Sequence, residues 1–223
     1  MKKYAKIFFC LCLVLLNQKS FSEVLFADDF QNGPSASWGN QLGGWIAQDG
    51  KYFASNTGPS FPLWPMPHTL LPFDVTDFEL SVKIWDFKDG GVMLRAQDSS
   101  NAVLLVIGGL GGVGDYIYWH ILQNGDPGQG LNPSASIGVI GDYDPSLKII
   151  VQGDTYQVFV DGNPNAATTL TTGVFSAGKV GLFDNASPET KYSNIILSIP
   201  EPSAISLLAV GLGVVLRRRR RTV

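Results

Sequence analysis

Between Phe78 and Phe87 apolar and polar residues alternate, with Phe78, Leu80, Val82 and Ile84 on one face and Glu79, Ser81, Lys83 and Trp85 on the other. A period of two is that of a half-buried β-strand. Strand-like runs also occur at Val24–Phe30, Gly44–Ala47, Val92–Gln97, Ala102–Ile107 and Tyr116–Leu122. Further along come Leu147–Gln152, Tyr156–Asp161, Lys179–Phe183 and Tyr192–Ile199. Gly, Asp, Asn and Pro punctuate these runs, and no window sustains a period of 3.6. Gly153-Asp154 and Asp161-Gly162 carry hairpin-type turn signals. So many short strands in about 175 residues predict an all-β, two-sheet sandwich. Neither a linker nor a repeat divides residues 23–199, which predicts a single domain there.

The two ends follow other patterns. Lys2, Lys3 and Lys6 precede a ten-residue apolar run, Ile7 to Leu16, too short to span a bilayer. This reads as a signal peptide over 1–22, cut after Ser22 or, alternatively, after Ala27; an N-terminal anchor helix is the competing reading. It implies passage through the Sec export machinery. Both cysteines, Cys10 and Cys12, lie inside the segment, so a processed chain would have neither disulfides nor thiolate metal sites. At the other end, Pro200-Glu201-Pro202-Ser203 closes the β pattern. Thirteen apolar or small residues, Ala204 to Leu216, come next, and then five arginines, Arg217 to Arg221. As a helix that run reaches roughly 20 Å, against about 30 Å of hydrocarbon. Insertion would need local thinning and snorkelling arginines, held on the cytoplasmic side.

This three-part tail, residues 200–223, resembles the PEP-CTERM sorting signal of Gram-negative bacteria that export extracellular polysaccharide. Pro200, Glu201 and Pro202 match its motif, and Arg217, Arg218 and Arg219 open its basic cluster. The resemblance implies a transient inner-membrane anchor and recognition by an exosortase. It also implies cleavage near the motif and delivery to the cell surface or extracellular matrix.

Charge changes the picture of the part between. The formal net charge is −3, but four N-terminal lysines and five C-terminal arginines supply nine of the 16 basic residues. Residues 23–199 keep seven basic residues against 18 acidic, a balance of −11. That argues against nucleic acid as a partner.

The order of parts in this acidic body resembles the concanavalin A-like, laminin G-like jelly roll. The matching stretches are Ala27-Asp28-Asp29-Phe30, Gly44-Trp45 with Asp49-Gly50, Asp77–Val82 and Gly90–Asp98. The longest is Gly153–Gly162, followed by Phe175 and Gly178–Leu182. These are turn and core positions, so they speak to fold more than to activity. The resemblance also suggests a structural Ca²⁺ between the first and last strands, with Asp29 and the backbone near Gly50 as matching positions. Ser193-Asn194 stands where relatives often place Asp-Asn. No cofactor is otherwise required.

Candidate chemistry is sparse. Gly109–Gly114 contains G-x-G-x-x-G, but the strand-like Tyr116–His120 follows where a phosphate loop needs a helix. The body's only glutamates are Glu23, Glu79 and Glu189, so the closely spaced acids of jelly-roll glycosidases are missing. Alternation places Met93, Arg95 and Gln97 opposite Val92 and Leu94, and exposes Tyr116, Tyr118 and His120. If those faces share one sheet, Trp85, Arg95, Tyr118 and His120 form an aromatic and polar floor for a sugar ring. The alternative is a solvated face with scattered aromatics. Pro59, Pro62, Pro65 and Pro67 stiffen a segment that either presents Trp64 to a ligand or plugs the sandwich with it. The favoured expectation is a non-catalytic, surface-sorted domain that binds polysaccharide. A glycan-active enzyme loosely similar, over Gly90–Arg95, to 3-keto-disaccharide hydrolases is the alternative, and a purely structural matrix protein is a third.

Overall fold

In the computed structural model, Phe78, Leu80, Val82 and Ile84 point into the sandwich and are buried, as their alternation predicts. The structure describes residues 22–56, 65–87, 89–108, 116–128, 138–139, 144–185 and 190–200. Apart from Ser22 and Pro200, the signal and sorting segments lie outside the described residues, as do the Gly-rich segment from 109 and Trp64. Among the described residues no helix is long and apolar enough to cross a membrane.

Fifteen strands run in chain order. They begin with β1 (Ser22–Asp28), β2 (Gly39–Leu42), β3 (Trp45–Gln48), β4 (Lys51–Ala54) and β5 (His68–Leu70). The middle group is β6 (Phe78–Trp85), β7 (Gly90–Asp98), β8 (Asn101–Ile107), β9 (Tyr116–Leu122) and β10 (Gly138–Val139). Last come β11 (Ser146–Gln152), β12 (Thr155–Val160), β13 (Thr168–Thr171), β14 (Lys179–Phe183) and β15 (Lys191–Pro200). One sheet has the order β13-β12-β11-β6-β15-β4-β3, with β1 added on β15; the other has β10-β9-β8-β7-β14-β5-β2. Val24–Ile199 pack as one compact unit.

The short strands β2, β4, β5, β10 and β13 escape the sequence pattern because two to four residues are too few to display a period. Between the sheets, the inward face of β6 meets Val103, Leu105 and Ile107 of β8 and Ile117 and Trp119 of β9 in one apolar core. Polar ties cross it, among them two made by buried aromatic side chains. Trp119 Nε1 donates to Thr168 Oγ1 at 2.9 Å, joining β9 to β13. The Tyr192 hydroxyl of β15 donates to Phe183 O at 2.6 Å and accepts from Gly91 N at 2.8 Å. Burial, opposed by the Gly91 N–H and reinforced by Asp184, pushes the Tyr192 hydroxyl well above its usual range, so it remains a neutral donor.

A second apolar cluster lies on the other face of the seven-stranded sheet: Leu70, Met93, Leu104, Val106, Tyr118 and Phe183, among others. That sheet is therefore buried on both faces, which explains why β8 reads as a continuous apolar run.

Candidate functional site

Register places the side chains of this second face in rows. His68 pairs with Phe183, Phe183 with Gly91, Gly91 with Val106 and Val106 with Tyr118. The adjacent row is Leu70, Gly181, Met93, Leu104 and His120. A Cβ at Gly91 would stand 2.0 Å from Leu105 O and 2.9 Å from Phe183 Cε1. Only glycine lets the Phe183 ring lie across the sheet at that point.

Polar groups gather where β7 begins and β14 ends. Asp89, in the left-handed region at φ 67°, precedes β7, and its N–H donates to Ile107 O at 3.0 Å. Its carboxylate accepts from the Tyr118 hydroxyl at 3.2 Å and from Asn185 Nδ2. Asp184 lies beneath, 1% exposed, with its N–H on Pro67 O and its Oδ1 accepting from Asn185 N. Asp89 and Asn185 are half-buried and so reachable from solvent, whereas Tyr118 is buried behind them. Burial first, and then the Asp89 charge, raises the Tyr118 hydroxyl far above its usual range, keeping it a donor.

Two histidines flank this group. His68 Nδ1 lies 2.8 Å from Met66 O, and His120 Nδ1 lies 3.0 Å from Pro127 O. Burial lowers the pKa of each, more than the carbonyl contacts (and, for His120, Asp89) raise it. His120 also meets Tyr118 edge-on, with ring centroids 5.5 Å apart.

The four-residue floor anticipated from alternation does not assemble. Tyr118 and His120 do share a face, but at 6% and 9% exposure they belong to a buried cluster and not to an open platform. Trp85 stands on the other sheet, where its Nε1 donates to Ser193 Oγ at 2.8 Å. Arg95 leaves the face altogether. A bulge at φ 47° breaks the β7 alternation and turns the side chain into the sandwich, 1% exposed. There Nε and Nη2 donate to Thr76 O at 3.1 and 2.8 Å, and Nη1 to Phe175 O at 3.0 Å and Tyr156 Oη at 3.3 Å. Asp77 lies 3.6 Å away as a counter-charge. So provided, a buried guanidinium is tolerable as a structural tie.

The residues anticipated for calcium have different surroundings. Asp29 lines a cavity of about 600 Å³ between the end of β1 and Asn194–Ile196 of β15. Its Oδ1 accepts from Gln31 N at 3.0 Å, which still leaves carboxylate lone pairs for a hard cation. Gly50 does not line that cavity; the Gln31 side-chain amide covers it, 2.1 Å from where a Cβ would stand. The neighbouring Asp28 carboxylate is taken up by Phe30 N, Ser35 N and Trp38 Nε1. Among the described residues there is no group of three or more His, Cys, Asp or Glu side chains suited to a metal.

A sandwich of two antiparallel sheets is matched among solved structures. The fold is a galectin- and concanavalin-like jelly roll. The chain is similar to the carbohydrate-binding module CBM66 from Bacillus subtilis, with TM-score 0.56 and 19% identity, over 73% of this chain and 96% of that one. It is also similar to a Bacillus subtilis protein of unknown function with a galectin-like fold (TM-score 0.55, 13% identity, 81% of this chain and 97% of that one). Bacillus licheniformis β-glucanase matches at TM-score 0.54 and 15% identity, over 82% of this chain and 100% of that one. No protein-family model matches the chain, and no curated protein matches its sequence. At such identities the likeness concerns fold alone. Within the jelly roll, Asp89, Asn185, Phe183 and His68 belong to no sequence motif that marks a site. The available signal was modest: Asp89-Gly90 and Asp184-Asn185 flank two predicted strands, but only their register brings them to the same sheet end.

Proposed function

We propose that this is an exported protein whose jelly roll binds carbohydrate without cleaving it, at the Asp89–Asn185 rim of the seven-stranded sheet. The observation that carries the reading is the carboxylate of Asp89, held by Tyr118 and Asn185 at an accessible edge. Two of its acceptor positions are engaged, and the remainder suit hydroxyl donors. Asn185 adds a carboxamide beside it, so the pair offers both halves of the hydrogen bonding that a sugar diol requires. The PEP-CTERM-like tail supports sorting by an exosortase to the cell surface or matrix, after Sec export.

A glycan array with the purified full-length protein, with and without Ca²⁺, tests the binding. Asp89→Ala should abolish the signal of the bound glycan while the fold persists by circular dichroism. Wild-type silence on neutral and acidic glycans alike would defeat the reading and favour a structural matrix role. The hydrolytic alternative has one supporting observation, a second carboxylate: Asp184, bonded to the same Asn185 that holds Asp89. Release of reducing ends from a bound glycan, lost in Asp89→Asn, would replace binding by hydrolysis. Calcium at Asp29 enters as a structural proposal only, for which the cavity beside β15 supplies room.

A further inference from the structure

Seven basic residues lie in the acidic body, and four of them, Lys51, Lys83, Lys148 and Lys191, stand on the outer face of the eight-stranded sheet. Each lies over an aromatic ring. Lys51 and Lys83 have Nζ 4.2 and 5.1 Å from the Trp85 ring centroid, Lys148 lies 5.6 Å from Phe159, and Lys191 5.9 Å from Phe53. Register gathers them into one stripe over β4, β15, β6 and β11. Lys191 pairs with Trp85, Ser193 with Lys83, and Ser146 with Lys83 while Lys148 pairs with Ser81. Tyr192 pairs with Tyr52, which sets Lys191 beside Phe53 and Ser193 beside Lys51. Diagonal neighbours in such a sheet are roughly 7–8 Å apart.

We infer that this stripe is a docking surface for a carboxylate-bearing polysaccharide. Charge complementarity selects an anion, and the rings hold the ammonium groups in place, so less side-chain freedom is lost on binding. Charge density selects the polymer. Glu79 and Asp86 sit within the same stripe, 3.7 Å from Lys148 and 2.6 Å from Lys191. Such a mixed surface is too sparse for duplex nucleic acid, with one charge per about 1.7 Å. It fits a chain carrying a carboxylate on some of its sugars, and the half-buried Ser81 and Gln157 add a hydroxyl and an amide on the same face. The side chains of Lys148 and Lys191 are 46% and 31% exposed, so the surface is open. This inference does not rest on the Asp89 rim, which lies on the other sheet.

Affinity electrophoresis of the full-length protein in gels containing polygalacturonate, or its fully methyl-esterified form, tests it. Polygalacturonate should retard the wild type, less so as salt rises, and the neutral ester should not. Lys83→Glu with Lys148→Glu should weaken retention by at least about tenfold, and the milder Lys83→Gln with Lys148→Gln by about threefold. Asp89→Ala should leave polygalacturonate retention intact, which separates this surface from the rim. Equal retention by the ester, an unchanged double variant, or tighter binding to duplex DNA or phosphatidylserine vesicles overturns the inference.

Discussion

Tyr118 donates a 3.2 Å hydrogen bond to the carboxylate of Asp89, linking the interior of β9 to the loop that opens β7. Because Tyr118 is buried and Asp89 half-buried, the bond fixes an accessible acceptor from behind. Tyr118→Phe removes that support but leaves Asn185 in place. Stability should fall by about 1 kcal/mol, and glycan affinity by several-fold more than stability accounts for. Urea unfolding beside binding titration measures both; an affinity loss in proportion to unfolding alone would make Tyr118 purely structural.

Arg95 should behave as a core residue. Arg95→Met deprives Tyr156 Oη of its donor in the interior, and Thr76 O and Phe175 O of theirs nearer the surface. At about 1–3 kcal/mol for the one acceptor left buried and unmet, and less for the two carbonyls that water reaches, a loss of about 2 kcal/mol is expected from the urea midpoint. Methionine approximates the volume, so packing alone would cost far less.

Tyr192→Phe should loosen the tie between the sheets, since its hydroxyl serves Phe183 O and Gly91 N, both interior. A loss of about 2 kcal/mol is expected. Gly91→Ala should be worse still and yield little folded protein, because its Cβ would meet Leu105 O at 2.0 Å. Differential scanning calorimetry compares the two.

Acid should destabilise the fold through its histidines. Burial holds the pKa of His68 and His120 below 6.5 in the folded chain. The unfolded chain therefore takes up protons first as pH falls. Their contribution to stability is full above about pH 6.5 and is lost as pH drops through the folded-state values. Urea midpoints should decline below neutrality, by at most about 1.4 kcal/mol per pH unit for each histidine. His68→Asn should flatten the decline, and a midpoint that rises toward acid would contradict this account.

The sorting proposal makes a separate claim about the tail. With Glu201→Ala, the chain should keep its C-terminal arginines, seen by mass spectrometry of the membrane fraction in a host that supplies an exosortase. Normal loss of the tail from this variant would refute sorting through the Pro-Glu-Pro motif.

Local alternation was enough to read β6 correctly and to turn Ile117 and Trp119 inward, because side-chain direction along a strand depends only on neighbours in the chain. The all-β character and the two-sheet sandwich were legible for the same reason. Which sheet a strand joins is a non-local matter. Trp85 and Tyr118 carry the same local signature, yet β6 lies in one sheet and β9 in the other, so their outward faces never meet. Arg95 shows the other limit: one residue at positive φ reverses the alternation and exchanges a surface cation for a core one. The net charge of −11 in the body was countable from the sequence, but its segregation was not. Only strand order brings four lysines from β4, β15, β6 and β11 into one stripe, and only register brings Asp89 to Asn185, 96 residues away. Composition and local pattern determine what kind of fold forms, while long-range pairing decides which side chains share a surface.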